Sequence, residues 1–337
     1  MNLSFNLIKE IVTGAVRVEE ENGSVKLYRF TKEQEELYKT EHQDLYPKTL
    51  SAAGMKLLFK TDSKNLFLKI KTSQGSSRKY FSVDVFADGK AVDSLDNFSD
   101  IDMPRNYTQL ELAYAEFSKE FSLGEGEKEV CVYLPWSVGV SIEELSLDDG
   151  ALVEAIKPKK KLLAFGDSIT QGYDALRPSN RYIARLADSL GAEEFNKAIG
   201  GEKFFPELAK LKDAFEPDYI TVAYGTNDWS NMDAEIFKEK CKDFYSNITK
   251  LYHGAKVLAI TPIWRKDMNG ERKFGAFEDV EKHIRSAVKD MKNVMVISGL
   301  DLVPHNEKYF ADLKLHPNDE GFDYYFKNLY NEIKSKI

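Results

Sequence analysis

The period of the hydrophobic pattern changes once along the chain, near residue 157. Before that point, from about residue 52 to residue 149, apolar residues alternate with polar ones, most clearly at 65–71, 80–86 and 129–134. A period of two predicts half-buried strands, and the Asp88-Gly89 pair predicts a hairpin between two of them. Many short strands at this spacing predict an all-β sandwich, which we expect to be jelly-roll-like.

After residue 157 short apolar runs alternate with amphipathic helical segments. The apolar runs lie at 162–165, 219–224, 257–260 and 294–297, and the helical segments include 233–252, 277–291 and 320–333. Alternating strands and helices predict a mostly parallel sheet that is covered on both faces. We therefore predict two domains, residues 1–156 (the N-terminal half) and residues 157–337 (the C-terminal half). Sites in such sheets lie at the carboxyl ends of the strands.

Composition excludes several classes of protein. The chain has 337 residues, of which 42% are hydrophobic and 30% charged, and its net charge is −8. This acidic balance gives no broad footprint for nucleic acid or an anionic membrane, and no apolar run approaches the ~20 residues of a membrane span. Two cysteines, Cys131 and Cys241, are too few for a disulfide scaffold, and residues 1–21 show no export signal. We expect a cytoplasmic protein without nucleic-acid or membrane partners.

The first segment with chemical content is Gly166-Asp167-Ser168, which directly follows the apolar run 162–165. Ser168 is therefore expected at the carboxyl edge of the sheet with its hydroxyl exposed. A serine hydroxyl is a weak nucleophile unless a base takes its proton. The alternative is an ordinary strand-to-loop turn, and the common Gly-Asp-Ser triplet is weak evidence by itself. Asp167, next to the serine, is expected to brace the turn by hydrogen bonds.

Two further loops follow predicted strands. Gly201, in Gly200-Gly201, could offer a backbone N–H to an oxyanion, and Asn227, after the run 219–224, could offer a side-chain amide. Each loop taken alone is also compatible with ordinary turn or capping chemistry.

The chain has five histidines, of which only His316 lies in a loop before a final helix with an acid, Asp312, just upstream. A single histidine is usually structural. The case for His316 depends on the other three segments.

Together the four segments resemble the SGNH hydrolases, also called the GDSL esterase family, from residue 161 to the C-terminus. The resemblance implies a flavodoxin-like three-layer α/β/α domain, with Ser168 as nucleophile and His316 as general base. It implies an oxyanion hole made by the Ser168 N–H, the Gly201 N–H and the Asn227 side chain. It implies no metal and no organic cofactor.

One position departs from the family pattern. The family places its acid three residues before the histidine, where this chain has Leu313, and Asp312 lies four residues before it. A one-residue insertion would still let Asp312 reach the imidazole. Alternatively a backbone carbonyl orients His316, which would leave a Ser-His dyad.

The sandwich in front of the SGNH-like segment resembles a group of bacterial carbohydrate esterases that remove acetyl groups from saccharides. Trp229 and Trp264 are expected near the carboxyl edge of the sheet, where their rings would suit sugar faces, and Trp136 could reach across from the sandwich. Packing is the alternative role for each tryptophan. The implied partner is a small-molecule ester, an acetylated oligosaccharide. The sequence leaves open whether the chain forms a homo-oligomer.

Three functions follow as hypotheses. The first is a serine esterase that removes short acyl groups, above all acetyl, from carbohydrate esters. The second is a general short-chain or lipid-directed esterase or thioesterase of the same fold. The third is a carbohydrate-binding protein with a silent hydrolase domain, which the displaced acid keeps open.

Overall fold

The computed structural model describes residues 1–104, 107 and 110–337. Within these ranges the strands are β1 Val12–Thr13, β2 Arg17–Glu21, β3 Ser24–Tyr28, β4 Lys56–Thr61, β5 Asn65–Gln74, β6 Ser82–Ala87, β7 Lys90–Asp96, β8 Glu116–Ser122, β9 Lys128–Tyr133, β10 Val138–Leu147, β11 Glu154–Ala155, β12 Lys160–Gly166, β13 Ala192–Asn196, β14 Tyr219–Ala223, β15 Lys256–Ile260 and β16 Val294–Ile297. The α-helices are α1 Phe5–Ile11, α2 Lys32–Glu41, α3 Tyr46–Thr49, α4 Ser168–Gln171, α5 Tyr182–Ser189, α6 Thr226–Asn231, α7 Ala234–Leu251, α8 Asp279–Val288 and α9 Asp319–Ile333.

The N-terminal half is built on two antiparallel sheets that share one core. One sheet has the order β1-β4-β9-β6-β7, with β11 paired to β4, and the other has the order β2-β3-β10-β5-β8. Alternate side chains of both sheets point inward into that core, among them Leu57, Phe59, Leu66, Leu68, Val130, Val132, Ile142 and Leu145. The predicted antiparallel sandwich is confirmed by these two sheets. Each strand buries one of its faces in the shared core, which is why the sequence has a hydrophobic period of two.

The C-terminal half contains one parallel sheet with the order β13-β12-β14-β15-β16. Counted from β12, this order is 2-1-3-4-5, the flavodoxin-like arrangement. Side chains of α7 and α8 pack in one core, and side chains of α5 and α9 pack in a second core. The predicted three-layer α/β/α fold is confirmed. Its order reverses direction between β12 and β14, so a crevice is expected at the carboxyl ends of these two strands.

Helix α7 shows how the sequence specifies these layers. Asp233 caps its first turn by accepting the Glu235 N–H at 3.0 Å. Its buried residues, Phe237, Cys241, Phe244, Tyr245 and Ile248, recur at helical spacing. They lie on the face that the periodicity of the sequence predicts.

One helix begins later than its sequence suggests. Ser179 is a plausible N-cap, but α5 begins at Tyr182, and Ser179 lies in a 3-10 turn, Pro178–Asn180. The Ser179 hydroxyl donates instead to the Asp84 carboxylate of the sandwich at 2.6 Å. The Ser179 hydroxyl therefore binds a charged acceptor in the other half of the chain and does not cap the helix.

Part of the N-terminal half packs on the C-terminal half. Phe30, Tyr38 and Leu45, in and beside α2 and α3, lie in the same core as the side chains of α7 and α8. Arg29, only 1% exposed, donates to the main-chain carbonyls of Asn196 and Ala198 at 2.8 and 2.9 Å. These contacts fix the loop that follows β13.

The predicted boundary between residues 156 and 157 falls between β11 and β12 and stays a prediction. Among the helices of the described residues, each is too short or too polar to cross a bilayer.

Candidate active site

Ser168 lies at the point where β12 ends. The strand ends at Gly166, and Asp167 then caps the short helix α4, its carboxylate accepting the Ile169 N–H at 3.0 Å. Ser168 is the first residue of that helix and is 4% exposed. Burial raises the pKa of the Asp167 carboxyl to about 6. As the sequence predicted, Asp167 braces the turn that holds the serine at the carboxyl edge of the sheet.

His316 connects the serine to a carboxylate. Its Nε2 lies 2.8 Å from the Ser168 Oγ, and its Nδ1 lies 2.8 Å from the Asp312 Oδ2. An ionised carboxylate only accepts hydrogen bonds, so Nδ1 carries the proton and Nε2 of the neutral ring is free to accept one from the serine. The structure thus brings Ser168, His316 and Asp312 together in one hydrogen-bonded series.

The loop before His316 wraps around the Asp312 carboxylate. Its Oδ1 accepts the main-chain N–H groups of Lys314, Leu315 and His316 at 2.9, 2.7 and 3.1 Å. Leu313 adopts a left-handed conformation with φ +58°. This residue accommodates the extra position in the loop and lets an acid four residues before the histidine face its ring.

The same contacts set the charge on Asp312. Burial would raise the pKa of its carboxyl, but the hydrogen bond from His316 and those from the loop amides outweigh burial and hold that pKa well below its usual range. Burial would lower the pKa of His316, but the hydrogen bond to Asp312 and the nearby carboxylates raise it above its usual value. These carboxylates therefore stabilise the imidazolium that forms when the ring takes a proton.

A second carboxylate, which no sequence motif marks, faces the same imidazole nitrogen. Asp174 Oδ2 lies 3.4 Å from His316 Nδ1. Asp174, Asp312 and His316 form the one cluster of metal-ligand-type side chains found among the described residues. Asp174 is already paired with Arg78, at 2.7 Å, so its charge is balanced by the protein itself.

The residues predicted for an oxyanion hole lie on loops that are tied to one another. Gln171 of α4 accepts the Gly200 N–H at 2.8 Å, and the Asn227 amide donates to the Glu202 carbonyl at 2.9 Å. Within the described ranges, neither the Ser168 N–H nor the Gly201 N–H donates to another group of the chain. These two donors remain available, and the Asn227 amide has a second N–H.

Glycine is required at two points of this arrangement. Gly201 has φ +89°, a conformation that is costly for any residue with a side chain. Gly225 has φ +123°, and a Cβ there would lie 2.7 Å from a Val280 methyl. Gly225 thus lets the chain turn tightly out of β14 and directly into the helix that carries Asn227.

The three tryptophans differ in their surroundings. Trp229 is fully buried, its indole N–H donates to the Gly275 carbonyl at 3.0 Å, and its ring packs edge-on against Phe277. The prediction that Trp229 contacts substrate is therefore wrong, because the ring turns inward and packs in the core. Trp136 is also buried, between the two halves of the chain.

Trp264 keeps part of its ring accessible. It lies after β15, at the carboxyl edge of the sheet, and is half-buried. Its indole stacks on His305, with ring centroids 5.8 Å apart and planes at 17°. A role in substrate binding stays a prediction for this residue.

The C-terminal half has the fold of the SGNH hydrolases, with a serine after the first parallel strand and an asparagine after the third. Residues 164–324 match the sequence model of the GDSL-like Lipase/Acylhydrolase family, and this segment of the chain is a domain of that family. None of the curated protein sequences compared with the chain matches it.

Solved structures resemble both halves of the chain together. The salicylyl-acyltransferase SsfX3 from a tetracycline biosynthetic pathway is 19% identical with a TM-score of 0.77, covering 96% of this chain and 94% of its own. A putative GDSL-like lipase from Bacteroides ovatus is 21% identical with a TM-score of 0.75, covering 97% and 96%. The acetyl xylan esterase Est2A from the rumen bacterium Butyrivibrio proteoclasticus is 14% identical with a TM-score of 0.64, covering 100% and 98%. At these identities the likeness establishes a shared two-part fold.

Proposed function

We propose that this protein is a serine esterase that removes short acyl groups, above all acetyl, from carbohydrate esters. The observation that carries the proposal is the series Ser168 Oγ, His316 and Asp312, in which both hydrogen bonds are 2.8 Å long. A hydroxyl bonded to a neutral imidazole that is itself oriented by a carboxylate is the arrangement that activates a serine nucleophile.

In the first step, Nε2 of His316 takes the Ser168 proton as Oγ attacks the ester carbonyl. The imidazolium that forms is stabilised by Asp312, whose low pKa keeps it ionised. The carbonyl oxygen becomes an oxyanion. We assign its stabilisation to the Ser168 and Gly201 N–H groups and the Asn227 amide, which act only once the charge develops.

The tetrahedral intermediate then collapses and the C–O bond to the alcohol breaks. His316 gives its proton to the departing alkoxide, so the sugar leaves with a free hydroxyl and the acyl group stays on Ser168. Water next occupies the place of the alcohol, His316 takes a proton from it, and a second tetrahedral intermediate releases the acid. The proton returns to Oγ, which restores the resting enzyme.

The assignment to carbohydrate esters is supported by the two-part fold shared with an acetyl xylan esterase. It is also supported by the partly open Trp264 ring at the edge of the sheet. Aromatic faces of this kind suit the apolar faces of sugar rings.

The test is hydrolysis of p-nitrophenyl esters of increasing acyl length, followed by acetate release from acetylated xylo-oligosaccharides. The wild type is compared with Ser168→Ala and with Ser246→Ala, a serine of α7 remote from the site. We expect acetate to be the best acyl group, with activity that is lost in Ser168→Ala and kept in Ser246→Ala.

Other outcomes select the alternatives. A preference for long acyl chains would replace this proposal with a lipid-directed esterase. If no ester turnover depended on Ser168, the result would favour a carbohydrate-binding protein with a silent hydrolase domain. Acyl products formed preferentially with an added alcohol would indicate a transferase.

A further inference from the structure

Asp174 is a buried carboxylate that the triad does not use. Its side chain is 0% exposed, and its Oδ2 lies 3.4 Å from Nδ1 of His316, the nitrogen that donates to Asp312. Asp174 adopts a left-handed conformation with φ +71°. A residue with a side chain holds this conformation only where its surroundings compensate for the cost.

Those surroundings come from the N-terminal half. Arg78 donates to both carboxylate oxygens of Asp174, at 2.7 and 3.2 Å, and the Tyr80 hydroxyl donates to Oδ1 at 2.8 Å. The Tyr107 hydroxyl donates to the Asp174 main-chain carbonyl at 2.7 Å. Every one of these donors lies in the sandwich, so the sandwich determines where the Asp174 carboxylate points.

Arg78 also lies over the aromatic ring that stacks on His316. Its guanidinium lies 5.2 Å from the centre of the Tyr173 ring, and that ring stacks on His316 with centroids 5.6 Å apart at 30°. The imidazole is therefore bounded on one face by Tyr173 and at Nδ1 by two carboxylates. Arg78 contacts both Tyr173 and Asp174.

We propose that Asp174 is a positioning residue for His316, a second carboxylate beside Nδ1 that the sandwich holds in place through Arg78 and Tyr80. The inference rests on the proposed esterase function and deepens it. It gives the sandwich a role in positioning the catalytic base, His316.

The charges explain why Arg78 is needed. Four charged side chains from three parts of the chain lie around the imidazole, and the titratable Tyr173 stacks on its face. The four are Asp312 in its own loop, Asp174 and Asp167 near α4, and Arg78 in the sandwich. Two unbalanced carboxylates at Nδ1 would stabilise the imidazolium further and make its return to the neutral base less favourable. Arg78 offsets one of them through a two-point pair. Asp174 thus stays close to Nδ1 with its charge partly balanced.

The first experiment follows the His316 imidazole by NMR as the pH is changed, in the full chain. Asp174→Asn removes a carboxylate and should lower the midpoint for His316. Arg78→Gln leaves Asp174 unbalanced and should raise it. Arg78→Lys keeps the charge and should stay close to the wild type. The readout needs no turnover, so it is independent of whether the protein is an esterase.

The matched control is Asp96→Asn. Asp96 accepts from Arg177 at 2.9 Å and so forms another arginine–aspartate pair between the two halves, away from the imidazole. We expect no change in the His316 midpoint for this variant. Equal shifts in Asp96→Asn and Asp174→Asn, or shifts of the same sign in Asp174→Asn and Arg78→Gln, would overturn the proposal.

The second experiment is a double-mutant cycle on kcat, using Asp312→Asn, Asp174→Asn and the variant with both changes. When Asp312 is an amide, Asp174 is the remaining carboxylate at Nδ1. Losing it should then cost on the order of tenfold more than it costs in the wild type. Equal factors in the two backgrounds would show that Asp174 has only a structural role. Absence of turnover that depends on Ser168 would instead refute the esterase proposal, and the NMR titration would still decide the electrostatic role of Asp174.

Discussion

Asp312 and His316 are four residues apart in the chain and are joined by two hydrogen bonds. One links the His316 main-chain N–H to Asp312 Oδ1 at 3.1 Å, and the other links Nδ1 of the ring to Oδ2 at 2.8 Å. The backbone contact fixes the carboxylate, and the carboxylate then fixes the ring. A triad can therefore form with the acid one position further from the histidine than the family pattern has it.

Replacing Leu313 with glycine should be tolerated. Leu313 occupies a left-handed conformation, which costs a residue with a side chain roughly 1–2 kcal/mol and costs glycine little. We expect Leu313→Gly to keep its kcat and to have an unchanged or slightly higher melting temperature. Leu315→Gly, at a partly buried position of the same loop, is the control and should lower the melting temperature. A large loss of activity in Leu313→Gly would show that the leucine side chain matters more than the backbone conformation.

The pH dependence of ester hydrolysis should report the environment of His316. Its pKa is raised above the usual value of ~6.5, and only the neutral ring can take the serine proton. We therefore expect kcat/KM to rise with pH through a midpoint above ~6.5 and then to level off. The measurement is the pH profile of acetate ester hydrolysis. A midpoint well below ~6.5 would contradict the hydrogen-bonded pair with Asp312.

Asn227→Ala should reduce kcat by about 10²–10³, which is ~3 kcal/mol, with a smaller effect on KM. We propose that the amide binds the oxyanion, which exists only after attack. Asn231 is the control, because its amide donates to the Asn227 carbonyl from the exposed side of the same helix. Asn231→Ala should keep nearly full activity. If Asn227→Ala instead raised KM and left kcat unchanged, the amide would bind the substrate in its ground state and not the oxyanion.

Two buried acids close to the Asn227 loop should weaken the fold at alkaline pH. Burial raises the pKa of Asp228 to about 7 and that of Glu202 to about 8. Because both folded values exceed the unfolded ones, the protonated forms are favoured by folding. Their contribution is complete at low pH and is lost as the pH rises through about 7 to 8.

The melting temperature of Asp228→Asn, with or without Glu202→Gln, should therefore fall less than that of the wild type as the pH is raised from about 6 to about 9. Asn and Gln can still accept the bonds that Phe204 N–H and the Tyr38 hydroxyl donate. Glu207→Gln, at an exposed position, is the control. Parallel melting curves for wild type and variants across this range would contradict the prediction.

Trp264→Ala should raise KM for acetylated oligosaccharides while leaving KM for p-nitrophenyl acetate nearly unchanged, because we propose that only the larger substrate extends over the ring. Trp264→Phe should restore much of the affinity. Trp229→Ala should behave differently and destabilise the protein by ~3–5 kcal/mol, since that ring is fully buried. Equal effects of Trp264→Ala on both substrates would remove this residue from the sugar site.

Much of the fold could be predicted because its signals are local. A period of two identifies sandwich strands such as β5, and a helical period identifies α7 with nearly its observed bounds. The buried strand β12 reads as a short apolar run because helices cover both of its faces. The segments of Ser168, Gly201 and Asn227 could be placed at the carboxyl edge of the sheet because each follows a strand in the chain.

The features that could not be predicted depend on contacts between distant parts of the chain. Arg78 and Asp174 are 96 residues apart, and neither has a neighbouring motif that would mark it. Trp229 follows the asparagine block as a ligand-contacting residue would, yet it turns into the core. The reach of Asp312 depends on the backbone angle of Leu313, which residue type alone does not favour.

Arg29 has a consequence for how such proteins can be recombined. It joins the carbonyls of Asn196 and Ala198 to those of Lys48 and Ser51. The loop that leads to Gly201 is thus shaped by residues of the connection between β3 and β4 of the sandwich sheets. We therefore expect a chimera that exchanges residues 29–51 to keep Ser168 and His316 but to lose the contacts that shape this loop.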